Sequence, residues 1–152
     1  MYRIRKLKQE DMQACHDIQH SSHFDYYDGW SEYFWKNVCH HFTDSWVVID
    51  DSDEVVGYVV GIIKHDDDLE GRLCYFWIDT CFRKDVKGTG CADELMHFLQ
   101  ERYPEQTARH HFENKRVMKW IENHGWKPVK DIDNVYADGS PATLVTWNSD
   151  DV

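Results

Sequence analysis

Gly88 and Gly90 stand one residue apart in DVKGTGCADELMHFL (residues 85–99), behind a strand-forming cluster, LCYFWIDTCF, and directly ahead of an amphipathic run. A strand that turns on bare glycines into a helix presents the helix's first N–H groups, which have no partner within the helix, at the positive end of its dipole. That arrangement binds phosphate. A loop of the form GxxxxGK[ST] is absent, because no Lys-Ser or Lys-Thr follows a glycine at that spacing. A dinucleotide GxGxxG is absent too, since close helix packing needs a third small residue where this chain has Asp93.

Other reactive side chains give less. Cys15, Cys39, Cys74, Cys81 and Cys91 are odd in number, lack CxxC spacing and mostly sit in apolar segments, as buried thiols of a reducing compartment do. His16 and His20 are one helical turn apart, but no Cys or carboxylate completes a recognised ligand spacing and His23 falls beyond the helix, so no metal site is expected.

The elements that must position the glycine loop follow from periodicity. MYRIRKL reads as a strand, and KQEDMQACHDIQH as a helix with Met12, Cys15 and Ile18 on one face. A second helix over 29–42 carries Trp30, Tyr33, Phe34 and Val38 as a stripe. SWVVI and EVVGYVVGIIK are β-branched strands joined by the turn composition DDSDE, and HDDDLEGR is a polar loop before LCYFWIDTCF. A helix over 88–103 ends at Pro104, QTARHHF is a short strand, and Asn114 caps a helix, KRVMKWIENH, that stops at Gly125. Two strand-like runs around Asp138-Gly139 make a hairpin, and the tail NSDDV is expected to fray. The order predicts an α/β (α+β) fold, a mixed central sheet of about seven strands flanked by about four helices. There is no linker or repeat, so residues 1–152 are read as a single domain.

Charge narrows the partners. Against 17 Lys and Arg stand 28 Asp and Glu, a net −11, which repels nucleic acid and anionic membrane and attracts cations. The longest apolar run, VVGYVVGII, is too short to span a bilayer, and the start carries no apolar signal core. A cytoplasmic protein that binds neither membrane nor nucleic acid is expected.

TCFRKDVKGTGCADELM resembles the acyl-CoA loop of the GNAT superfamily of N-acyltransferases, Arg/Gln-x-x-Gly-x-Gly/Ala at the start of a helix after the fourth strand. Both glycines match, and Asp85 stands where the family has Arg or Gln. NKRVMKWIENHGW resembles the family's later helix, N-x-x-A-x-x-x-Y-x-x-x-G-F, at the same offsets: Asn114, Val117, Ile121, Gly125 and Trp126. The resemblance implies a GNAT-like fold and an N-acetyltransferase with acetyl-CoA as co-substrate, its diphosphate held by Val86, Lys87, Gly88, Thr89, Gly90, Cys91 and Ala92, with Asn114 nearby. It further implies that the fourth and fifth strands (73–81 and 106–112) splay, that pantetheine pairs with Ile78, Asp79 and Thr80, and that a main-chain N–H there polarises the thioester.

A neutral amine must attack, and a lysine-like amine has a pKa of about 10.4. A base is therefore needed, and Asp79, His110 and His111 are candidates. His110 and His111 face opposite ways on a strand, and the offset from Asn114 favours His111. The family's frequent tyrosine acid falls at Ile121, which has no proton to give; Tyr136 or water replaces it, the thiolate leaves unaided, or transfer has been lost. A covalent relay through Cys74 or Cys91 is disfavoured by their strand and helix settings. The first two helices wall the acceptor site in the family, so HFDYYDGWSEYFW, with Asp25, Asp28 and Glu32, would receive a small cationic amine. Family members often pair through sheet edges, so a homodimer is also open. The alternative is a GNAT-fold module that binds acyl-CoA without turnover.

Overall fold

The protein is described by a computed structural model over residues 1–21, 29–111 and 114–151. The chain runs β1 (Arg3–Lys6), α1 (Met12–Ser21), α2 (Glu32–His41), β2 (Trp46–Ile49), β3 (Val55–Asp66), β4 (Arg72–Phe82), α3 (Cys91–Arg102), β5 (Glu105–His111), α4 (Lys115–Asn123), β6 (Lys127–Ile132) and β7 (Ala142–Asn148). This is the expected order of elements. The strands form one sheet ordered β1-β2-β3-β4-β5-β7-β6. Neighbours joined by turns pair antiparallel, whereas β4 and β5 pair parallel, because α3 carries the chain back across the sheet between them.

Helices α1 and α2 cover one face, packing Cys15, Ile18 and Trp35 on Val47, Tyr58 and Val60. Helices α3 and α4 cover the other, where Leu95, Met96, Leu99 and Ile121 meet Tyr75 and Trp77. Leu99 is fully buried there, and its truncation to alanine would cost about 2–5 kcal/mol.

One irregularity shapes the centre of the sheet. Val60 pairs with Asp79 but Gly61 pairs with Trp77, so Ile78 is an extra residue that bulges β4. Gly61 permits the close approach, since a Cβ there would collide with the carbonyl oxygen of Phe76 and the ring of Tyr75. The parallel pairing runs from Tyr75↔Gln106 to Trp77↔Ala108 and stops at the bulge, although β4 continues to Phe82 and β5 to His111.

One expectation needs correction. Up to Asp151 the tail does not fray: Ser149–Asp151 form a 3-10 turn, and the Ser149 N–H donates to the Pro104 carbonyl at 2.9 Å. The last hairpin forms as expected, β6 and β7 pairing antiparallel around residues 133–141, with Gly139 at φ +84°.

Candidate active site

The loop after β4 is built by backbone turns. Residues Lys84–Val86 form a 3-10 turn, and Gly88 (φ +80°) and Gly90 (φ +86°) take left-handed conformations that side chains other than glycine's disfavour. The Val86, Lys87 and Thr89 N–H groups donate inward, to the carbonyls of Arg83, Lys84 and Val86. Three of the seven residues expected to offer amides therefore use them within the loop, Thr89 included. The amides of Gly88, Gly90, Cys91, Ala92 and Asp93 have no acceptor among the described residues, the first bond of α3 being Glu94 N–H to Gly90 C=O. A Cβ at Gly88 or Gly90 would meet nothing within 4 Å, so the loop is open on the Cβ side of both glycines. The Thr89 hydroxyl donates to the Val86 carbonyl and accepts from the Tyr2 hydroxyl at 2.9 Å, tying β1's start to the loop.

Arg83 settles the position of Asp85. Its guanidinium grips both Asp85 oxygens, at 2.6 and 2.9 Å, and Glu54 at 3.0 Å. The Arg83 hydrogen bond, more than the charge, holds the Asp85 carboxyl below its ordinary pKa. Asp85 is thus a loop strut whose charge is paired with Arg83.

Beyond Trp77 the edge of β4 facing β5, at Ile78, Asp79 and Thr80, has no ladder partner on β5. On the α3/α4 side, buried Trp77 Nε1, Thr80 Oγ1 and His110 Nε2 have no hydrogen-bond partner among the described residues. Desolvation lowers the His110 pKa to about 4, so this imidazole is neutral. An unsatisfied buried polar group costs about 1–3 kcal/mol, so a ligand group that reached these atoms would be held by them. The indole, a donor only, requires an acceptor such as an amide carbonyl. These atoms fit the amide-bearing arm of an acyl-CoA.

Asp79 faces the other way, toward α1 and α2. It accepts from the Tyr58 hydroxyl and, at 2.9 Å, from Gln19 Nε2. Burial raises its pKa to about 6 against the opposing hydrogen bonds of Tyr58, Gln19 and Thr80. His111 shares that face on β5, buried, with its ring centroid 4.9 Å from that of Tyr136 in the 133–141 loop. Past the end of the β4–β5 ladder the sheet thus carries a neutral imidazole on one face and, on the other, Asp79 from β4 and His111 from β5.

A sequence model of the acetyltransferase (GNAT) family matches residues 4–126. The chain belongs to the GNAT acetyltransferase family. A search of curated protein sequences finds no match. Among solved structures, the GNAT chain is similar to the ribosomal-protein-S18-alanine N-acetyltransferase from Escherichia coli (TM-score 0.75, 15% identity, 97% of this chain and 94% of that one). Arabidopsis thaliana NAA60 in complex with a bisubstrate analogue matches with TM-score 0.78 at 14% identity over 97% and 98% of the chains. A putative phosphinothricin N-acetyltransferase gives TM-score 0.78 at 11% identity over 97% and 98%.

The remaining expected residues of this GNAT chain fall as follows. Asn114 spends its carboxamide oxygen on capping α4 through the Val117 N–H, at 3.4 Å. Ile121 is fully buried in the core. Cys91 is buried, its thiol pushed up to about 12 by desolvation, and the Cys74 thiol is raised for the same reason. His16 and His20 stack on each other at 4.1 Å, and His20 Nε2 bonds the Trp30 carbonyl at 2.6 Å. Among the described residues no cluster is placed to hold a metal, and no helix is long and apolar enough to cross a membrane. Glu32 is exposed on α2, and His23, Asp25 and Asp28 lie outside the described residues. Sequence reasoning missed Gln19, Tyr58, Arg83 and Trp77; a glutamine between apolar positions of α1 was the one available signal.

Proposed function

We propose that this chain transfers an acetyl group from acetyl-CoA to a primary amine, and that the acceptor is a small cationic molecule. The observation that supports this reading is the end of the β4–β5 ladder at Trp77 and Ala108, in a chain whose α3 opens on amides without an acceptor among the described residues. The Gly88, Gly90, Cys91 and Ala92 amides would hold the diphosphate, and the free backbone edge of Ile78, Asp79 and Thr80 would pair with pantetheine. Acetyl-CoA, when bound, supplies an acyl carbon activated by its thioester. An N–H of the 78–80 edge would polarise the acyl oxygen.

An ammonium is favoured by the net charge of −11 and by Asp79, which is ionised above about pH 6. Asp79 or His111 would take the amine's proton as nitrogen attacks the acyl carbon and the carbon–sulfur bond breaks. Ile121 gives the leaving thiolate nothing, so Tyr136 beside His111 is the hydroxyl proposed to protonate it.

Free thiol release from acetyl-CoA, followed against polyamines, amino sugars and peptides with a free N-terminus, tests this. Saturable turnover with the cationic small amines is expected. Turnover with peptides alone would replace the acceptor. Tight acetyl-CoA binding with only background release would make the chain a binding module, the reading that buried Ile121 favours.

A further inference from the structure

Gln19 is 3% exposed near the end of α1, and every polar atom of its carboxamide is committed. Its oxygen accepts the Trp30 backbone N–H at 2.7 Å and the Trp35 indole N–H at 2.9 Å, while its nitrogen donates to Asp79 at 2.9 Å. The orientation has no alternative: a flipped amide would set NH2 against two donors and a carbonyl against a carboxylate. The same turn of α1 also holds the other backbone group of Trp30, through His20 Nε2 and the Trp30 carbonyl. Gly29 (φ +78°) lies close against this turn: a Cβ there would sit 3.0 Å from the His20 ring and 3.2 Å from Gln19 Oε1, tighter than ordinary contact.

From this geometry we infer that Gln19 is a positioning residue for transfer: it fixes the Asp79 carboxylate on β4 to the entry of α2, and so sets the proton-accepting oxygen relative to the acceptor wall. The inference rests on the reading of Asp79 as a proton acceptor. Gln19 acts through Asp79 by donating to its charged form, which lowers the pKa that burial raises. The titratable groups around this carboxylate among the described residues are Tyr58 from β3, Cys15 from α1 with Asp11 beyond it, and Cys81 on β4 itself. Cys15 stays a neutral thiol, its pKa raised chiefly by burial.

The test is a carbon-13 NMR titration of the Asp79 carboxyl in the free protein, its resonance identified by its loss in Asp79→Asn, together with pH profiles of kcat/KM. In Gln19→Met the midpoint should rise from about 6 by about one unit, since a donor to the charged form is gone. The acid limb of kcat/KM should move with it, lowering activity about tenfold below the midpoint while the Kd for acetyl-CoA is unchanged. Gln19→Glu keeps an acceptor for Trp30 and Trp35 and replaces the donor with a second carboxyl, so its midpoint should rise too even if the methionine variant folds poorly. A midpoint unmoved in both variants, or a loss of activity with no shift of the acid limb, overturns the inference. Unchanged turnover in Asp79→Asn overturns instead the reading of Asp79 beneath it; the free-protein titration keeps the two failures apart.

Discussion

Replacing Gly90 by alanine separates the strain of the loop from its occupancy. At φ +86° an alanine pays for a left-handed backbone, about 1–2 kcal/mol. In a chain of this size that lowers the melting temperature by about 2–8 °C, at about 2–4 °C per kcal/mol. The new methyl meets no atom within 4 Å, so packing adds nothing to that cost. It does project into the open space before α3. A diphosphate seated there would have to retreat and lose at least one hydrogen bond to its charged oxygens, worth about 1.5–3 kcal/mol, or about 10- to 150-fold in CoA affinity. Gly71→Ala is the matched control: φ +74°, nothing within 4 Å, and at the opposite end of β4. Calorimetric titration with CoA and thermal melts of both variants should show comparable stability losses and weakened binding only in Gly90→Ala. If Gly90→Ala melts like the control and binds CoA like wild type, the diphosphate does not sit on these amides.

Asp79→Asn should lower kcat/KM about 10²- to 10⁴-fold if the carboxylate takes the amine's proton, as initial rates at pH 8 will tell. Because the folded chain holds this proton to about pH 6 and the unfolded chain only to about 4, wild-type stability falls as pH rises through that window. The melting temperature of Asp79→Asn minus that of wild type should therefore grow from pH 4 to 6 and then level; a difference flat with pH refutes the burial argument. Arg83→Met strips Asp85 and Glu54 of their counter-charge, so CoA binding should weaken about three- to tenfold at low salt and converge with wild type at high salt, with Asp85→Asn restoring part of it. Asn114→Ala removes the cap of α4 and should cost about 1 kcal/mol in denaturant melts with CoA affinity unchanged. Trp77→Phe removes an indole donor that has no partner among the described residues, and should weaken CoA about 2- to 12-fold while leaving affinity for adenosine 3′,5′-bisphosphate, which lacks pantetheine, intact.

The sequence determined what local chemistry alone can specify. Gly88, Gly90 and Gly125 take the positive φ values their lack of a Cβ permits, Asn114 caps α4 because its short amide reaches the next turn, and period-two and period-3.6 patterns lay out every strand and helix in order. Tertiary structure decided the rest, since long-range partners leave no periodic trace. Whether Asp85 would confront a phosphate depended on Arg83 two residues away and Glu54 just ahead of β3. The Ile78 bulge, at which the β4–β5 ladder ends, came from register against Gly61. Gln19 met Asp79 across 60 residues only because α1 packs on the face where that carboxylate emerges. Loop conformation is written into one residue at a time, whereas a buried carboxylate's partners and proton affinity belong to whichever elements the fold brings together.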